Sequence, residues 1–125
     1  MFEVGTATEV RAYHIMPGVE GPEGVLHSHD YRLEVRVERA GLDERAMVCD
    51  IDVLEAALAD AAAVVREKNL EVIQPPGAGA VTVEVFSQWL FERVADAVRS
   101  GGGKRLTVRV WESPMAFGGY GGPLS

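Results

Sequence analysis

A single cysteine, Cys49, leaves this 125-residue chain without an internal disulfide. A lone thiol fits a reducing cytoplasm. No apolar run approaches the roughly 18–20 residues that a membrane span needs. The opening stretch MFEVGTATEVRAYH has neither a basic start nor an unbroken apolar segment, so no secretory signal is expected. Basic residues are the minority, 12 Lys and Arg against 19 Asp and Glu, which makes the formal charge −7. Phosphate backbones are bound through basic patches, so neither nucleic acid nor a membrane is the expected partner, although a local positive pocket stays compatible with this balance. Repeats are lacking, as is any linker long enough to divide the chain, and one domain over residues 1–125 is expected. What is present is an ordinary globular balance, 47% hydrophobic and 25% charged, which argues against disorder.

Alternation marks the strands. Over residues 2–15, Val4, Thr6, Val10, Ala12 and His14 share one parity, while Glu3, Glu9, Arg11 and Tyr13 share the other. The Pro- and Gly-rich segment 16–26 reads as a loop. In 27–39, His27, His29, Tyr31, Leu33, Val35 and Val37 point one way and Arg32, Glu34, Arg36 and Glu38 the other. A short strand extension is expected at Met47–Cys49. Leu54, Ala57, Leu58, Ala61 and Val65 make one apolar stripe, predicting a helix over 52–69 capped by Asp52 with Glu55 in capping-box spacing. A loop over 72–80 leads to a second helix near 83–99, with Thr82 as N-cap and the stripe Val83, Phe86, Leu90, Val94 and Ala97. Leu106, Val108 and Val110 alternate with Arg105, Thr107 and Arg109 in a strand over 104–112, and the Gly- and Pro-rich tail 113–125 reads as irregular. Strands and helices segregated in this way predict an α+β fold with an antiparallel sheet, helices on its apolar face and a charged opposite face.

All three histidines, His14, His27 and His29, lie in the first 30 residues. His27 and His29 are two apart on a strand and so share a face, and His14 has the parity of its own strand's apolar residues. A hairpin would bring the three imidazoles together. Three neutral imidazoles make a zinc site with an open fourth position, the arrangement of a catalytic zinc. Other late divalent metals also suit imidazole, and three unrelated strand residues is the plain alternative.

The run His27-Ser-His-Asp-Tyr resembles the H-G-H-N-Y strand of the 6-pyruvoyl tetrahydropterin synthase and 6-carboxytetrahydropterin synthase family. Tyr13-His14-Ile15-Met16-Pro17-Gly18 is similar to its A-H-x-L-P-G, Met47-Val48-Cys49-Asp50 to G-M-V-x-D-F, Val81-Thr82-Val83-Glu84 to P-T-x-E, and Val110-Trp111-Glu112-Ser113 to the closing V-x-E-T/S. The resemblance implies the tunnelling fold, a four-stranded antiparallel sheet with two helices on one face. Three such sheets join into a barrel and two trimers stack into a hexamer, which would cover exposed sheet edges. It also implies zinc on His14, His27 and His29, a pterin ring anchored by Glu112, and further pterin contacts from Thr82 and Glu84. A carboxylate suits the anchor role because it can accept two N–H bonds from the guanidine-like edge of a pterin.

The catalytic residues depart from the family's pattern. Usual members carry a cysteine four residues before the first histidine of H-x-H, where this chain has Glu23. That substitution resembles a variant branch with glutamate there, which cleaves the dihydroneopterin side chain. Cys49 reads as a small core residue. The family's L-D-H-x-x-L-N segment, source of an Asp–His dyad, aligns with Val65-Arg66-Glu67-Lys68-Asn69-Leu70-Glu71, so that Arg66 and Glu67 replace the dyad. Ser28 replaces the glycine of H-G-H and Asp30 the asparagine. The expectation is a zinc-dependent pterin lyase or isomerase with altered chemistry, in which Glu23 or Glu67 moves the proton. The alternatives are a non-catalytic zinc- and pterin-binding paralogue and a structural oligomer with a vestigial pocket.

Overall fold

Two hairpins bracket a pair of helices. Strand β1 (Phe2–His14) pairs antiparallel with β2 (His27–Arg39) along its whole length, from Phe2 opposite Arg39 to His14 opposite His27. Helices α1 (Ile51–Val65) and α2 (Val83–Val98) follow. The second hairpin is β3 (Arg105–Ser113) and β4 (Ala116–Pro123). The four strands form one antiparallel sheet in the order β1-β2-β3-β4. The computed structural model describes residues 1–124. Among them, no helix is long and apolar enough to cross a membrane.

The alternation sorts the sheet into two faces. Val10, Ala12, Tyr31, Leu33, Val35, Val37, Leu106, Val108 and Val110 are buried under the helices. The residues between them, such as Arg11, Arg32 and Arg105, meet solvent on the open face. The helices supply the other half of the core through Leu54, Leu58, Ala61 and Val65 of α1 and Phe86, Leu90 and Val94 of α2. Burying each Leu, Val or Phe side chain contributes roughly 1.5–3 kcal/mol. The four-stranded antiparallel sheet with both helices on one face is therefore the architecture expected of the chain.

Several local expectations are corrected. The glycine-rich tail is not irregular: it is β4, and its glycines are what α2 demands. A Cβ at Gly118 would lie 2.7 Å from a Val83 methyl and 3.0 Å from the Glu84 nitrogen, and one at Gly122 would lie 3.3 Å from the Phe91 ring. Met47–Cys49 is not a strand. Asp43 instead accepts from the Arg45 and Met47 nitrogens at 2.8 and 3.0 Å, and Ala46 takes a positive φ of 61°, so this stretch folds as a turn. Helix α1 starts earlier and is capped by Asp50, which accepts from the Asp52 nitrogen at 2.9 Å, rather than by Asp52. It also stops at Val65, before Glu67 at φ 57°. Ala97 is exposed, and Val98 takes its place on the buried stripe of α2.

After α1 the chain runs beside the outer edge of β1. Glu67 N–H donates to the Arg11 carbonyl and Tyr13 N–H to the Lys68 carbonyl, both at 2.8 Å, and Tyr13 bridges Asn69 in parallel. A 3-10 turn at Leu70–Ile73 then drops Leu70 and Ile73 into the core. Thr82 caps α2 by accepting from the Val85 nitrogen at 3.1 Å, as its N-cap position predicts.

Candidate metal centre and adjoining pocket

Strand register builds the centre. His14 stands directly opposite His27, and His29 opposite Ala12, so the three imidazoles occupy adjacent positions on the helix-covered face. Ring centroids are 5.3 Å apart for His14 and His27 and 4.8 Å for His27 and His29. Glu23 joins them from the loop between β1 and β2, and one ligand atom from each of the four lies within 4.8 Å of every other. Ligands on a tetrahedral zinc with Zn–N bonds near 2.0–2.1 Å would stand roughly 3.3 Å apart, so modest side-chain adjustment closes the set on one ion.

The chemistry of the donors fits a cation. His27 Nδ1 lies 2.7 Å from the Val25 carbonyl oxygen. A carbonyl can only accept, so Nδ1 carries a hydrogen, and in the neutral ring Nε2 then keeps its lone pair, the outer-shell arrangement of metal-bound histidine. His14 is buried with neither ring nitrogen hydrogen-bonded, and His29 Nε2 is likewise buried and unpaired. Unpaired buried nitrogens are costly in a folded protein, and a shared metal ion would take up one of them from each ring. Burial, then the proximity of His27 and His29, pushes the His14 pKa below its ordinary value, which favours the neutral ring that a metal requires.

Beside this cluster lies a cavity of about 230 Å³ lined by His14, Glu23, Tyr31, Thr82, Glu84, Phe86 and Glu112, among others. The N-terminal turn of α2 delivers Thr82 and Glu84. Glu112 arrives through a bulge, because Trp111 pairs with Phe117 and Ser113 with Ala116, which leaves Glu112 as the extra residue of β3. Bulges of this kind re-aim side chains next to active sites. The sequence pattern marks Tyr31 only by its parity, two residues after His29 on the same face. Its ring packs edge-on against both His29 and Phe86, at 5.4 and 5.3 Å. Burial, and then the charges of Glu112 and Glu23, push its phenol pKa well up, which keeps the hydroxyl protonated.

Seven of the eight residues singled out in the sequence meet at this end of the sheet: the three histidines, Glu23, Thr82, Glu84 and Glu112. Glu67 stands elsewhere. Its carboxylate oxygen is 3.4 Å from the Tyr13 hydroxyl, and Tyr13 has the opposite parity to His14. Asp30 is on the open face, paired with Arg11 at 3.1 Å. Cys49 is buried outside the pocket, and that burial, with Asp50 beside it, raises its thiol pKa, which disfavours the reactive thiolate.

A 6-pyruvoyl tetrahydropterin synthase from Caenorhabditis elegans superposes with a TM-score of 0.78 at 19% identity, covering 97% of this chain and 95% of that one. The Plasmodium falciparum 6-pyruvoyl tetrahydropterin synthase also gives 0.78, at 12% identity over 98% of both chains. A Plasmodium vivax 6-pyruvoyltetrahydropterin synthase carrying alanine in place of a catalytic glutamate gives 0.73, at 10% identity over 98% of this chain and 99% of that one. No curated protein matches the sequence. These likenesses establish the tunnelling fold, and the family model of 6-pyruvoyl tetrahydropterin synthase matches residues 3–123. The chain therefore belongs to the 6-pyruvoyl tetrahydropterin synthase family.

Proposed function

We propose that this protein is a zinc-dependent lyase or isomerase that acts on the side chain of a pterin-type substrate. The observation that carries this reading is the meeting of three imidazoles, each with an unpaired buried nitrogen, with a carboxylate-lined cavity at one end of the sheet. His14, His27 and His29 would hold the ion, which when bound polarises a substrate oxygen and acidifies a neighbouring C–H or O–H. Glu112 would accept the guanidine-like edge of the heterocycle. The Thr82 hydroxyl accepts from the Val85 nitrogen but keeps its own hydrogen to donate, and Glu84 offers a second acceptor beside it. Phe86 and Tyr31 give the ring an apolar wall.

Glu23 is the proton carrier within the pocket. Its carboxylate faces the cluster in the place where most family members have a cysteine, and one Plasmodium vivax relative is itself described with a catalytic glutamate. Glu67 is the second candidate. Since it lies on the other side of β1, it would have to serve the pocket of a neighbouring copy, in the hexameric dimer of trimers that the family resemblance implies. Loss of the thiol and the dyad together argues against ordinary synthase chemistry on dihydroneopterin triphosphate.

Incubation of zinc-loaded protein with dihydroneopterin, its triphosphate and carboxylated analogues, followed by mass spectrometry, tests this reading. A product that disappears with Glu23→Gln supports it. A second reading, a metal- and pterin-binding paralogue without turnover, is favoured by the position of Glu67 outside the pocket. Tight pterin binding without product would select that reading.

A further inference from the structure

The loop between β1 and β2 is built around Glu23. Met16 N–H donates to the Glu23 carbonyl at 2.8 Å, Gly24 N–H to Gly21 at 3.1 Å and Val25 N–H to Pro22 at 3.2 Å. Gly21 holds a φ of 86°, and a Cβ at Gly24 would lie 1.7 Å from the Val19 carbonyl oxygen, so only glycine fits there. These constraints clamp both sides of one residue and aim its carboxylate inward. Glu23 Oε2 then sits 3.0 Å from His27 Nε2.

That contact has an unusual character. In the neutral ring that a metal requires, His27 donates its Nδ1 hydrogen to Val25, which leaves Nε2 as an acceptor. Nε2 makes no hydrogen bond, so the carboxylate oxygen does not lie along an N–H direction. Two acceptors at this distance repel unless a cation lies between them, and their separation is close to the roughly 3.3 Å edge of a tetrahedral zinc site. Resting on the metal centre proposed above, we propose that Glu23 is a fourth, exchangeable ligand of that centre. The three histidines stand on rigid paired strands, whereas Glu23 is half exposed on a turn with solvent behind it. Bound, it closes the site. Rotated outward, it opens one position to an incoming oxygen or anion and leaves a free carboxylate beside it.

Metal binding and anion binding test this without any substrate. Replacing an outer-shell partner of a metal ligand lowers affinity about 10–100-fold, and removing a ligand should do no less. Zinc titrated against a chromophoric competitor is therefore expected to bind Glu23→Ala at least ten-fold more weakly than wild type, with Glu23→Asp between them. In the cobalt-substituted proteins, azide is expected to bind Glu23→Ala at least ten-fold more tightly, because no internal carboxylate competes for the position, and the visible absorption should differ between the two before azide is added. Circular dichroism confirms that each variant is folded. Equal zinc affinities overturn the ligand assignment, and equal azide affinities overturn exchange. A wild type that binds no zinc while folded removes the metal centre itself, a result distinct from either.

Discussion

His14 and His27 are registered partners at the last rung of the β1–β2 hairpin, their rings edge to face with centroids 5.3 Å apart. A donor pair fixed by strand pairing needs no metal to bring it together. His27→Ala is accordingly expected to lose bound zinc, from near one ion per chain to near none, while keeping its fold. At zinc a hundred-fold above its dissociation constant, wild type should gain about 2.7 kcal/mol of stability and the variant almost nothing. Metal analysis and thermal unfolding with and without zinc check both.

On the function proposed above, Glu112→Gln is expected to separate heterocycle recognition from metal binding. Hydrogen bonds to a charged group contribute about 1.5–3 kcal/mol, so pterin affinity should fall roughly 10–150-fold, read by titration. Zinc affinity should stay unchanged, because Glu112 is not among the ligand atoms.

Gly118→Ala should be the most damaging of the tail substitutions. The new methyl would press on Val83 and on the Glu84 backbone, and overpacking of this kind costs about 1–3 kcal/mol. Gly41→Ala, where a Cβ meets nothing within 4 Å, should stay within about 0.5 kcal/mol of wild type. Urea denaturation of the two variants side by side is the measurement.

Thr82→Ala removes the cap of α2, an expected loss of about 1 kcal/mol, together with a donor at the pocket. Thr82→Ser should restore both. A serine variant as unstable in urea as the alanine one would contradict the capping role.

Asp43 governs acid behaviour in the turn after β2. Hydrogen bonds from the Met47 and then the Arg45 backbone hold its carboxyl pKa below the ordinary value, against an opposing effect of burial. A depressed folded pKa means stability that is present above the unfolded value, near 3.9, and is lost as pH falls through the folded value. Asp43→Asn should therefore flatten the decline in melting temperature below about pH 4 relative to wild type.

Periodicity made three strands, both helices and the converging histidines legible in the sequence, because side chains two or 3.6 residues apart have no freedom over which face they share. β4 was illegible for a specific reason. Its alternation is carried by Gly118 and Gly122, whose meaning lies in the helix packed over them. The Asp50 cap was missed because Asp52, two residues on, offers the same chemistry. The bulge that frees Glu112 depends on a pairing mismatch between two strands, which neither strand carries alone. Tyr31 has the parity of a core residue, and it is buried, yet it borders a cavity that exists only once β2, α2 and the loop around Glu23 are assembled.

The stretch from Glu67 to Asn69 has a bearing on assembly. By pairing with the outward-facing Arg11 carbonyl and Tyr13 N–H, it acts as a selvedge on the last part of β1. The corresponding groups of Glu3, Gly5, Ala7 and Glu9, which alternate toward the same side, carry no such hem among the described residues. A neighbouring sheet that stitches onto this margin can do so only over the first two-thirds of the strand, so the seam would run out before the rung that carries His14.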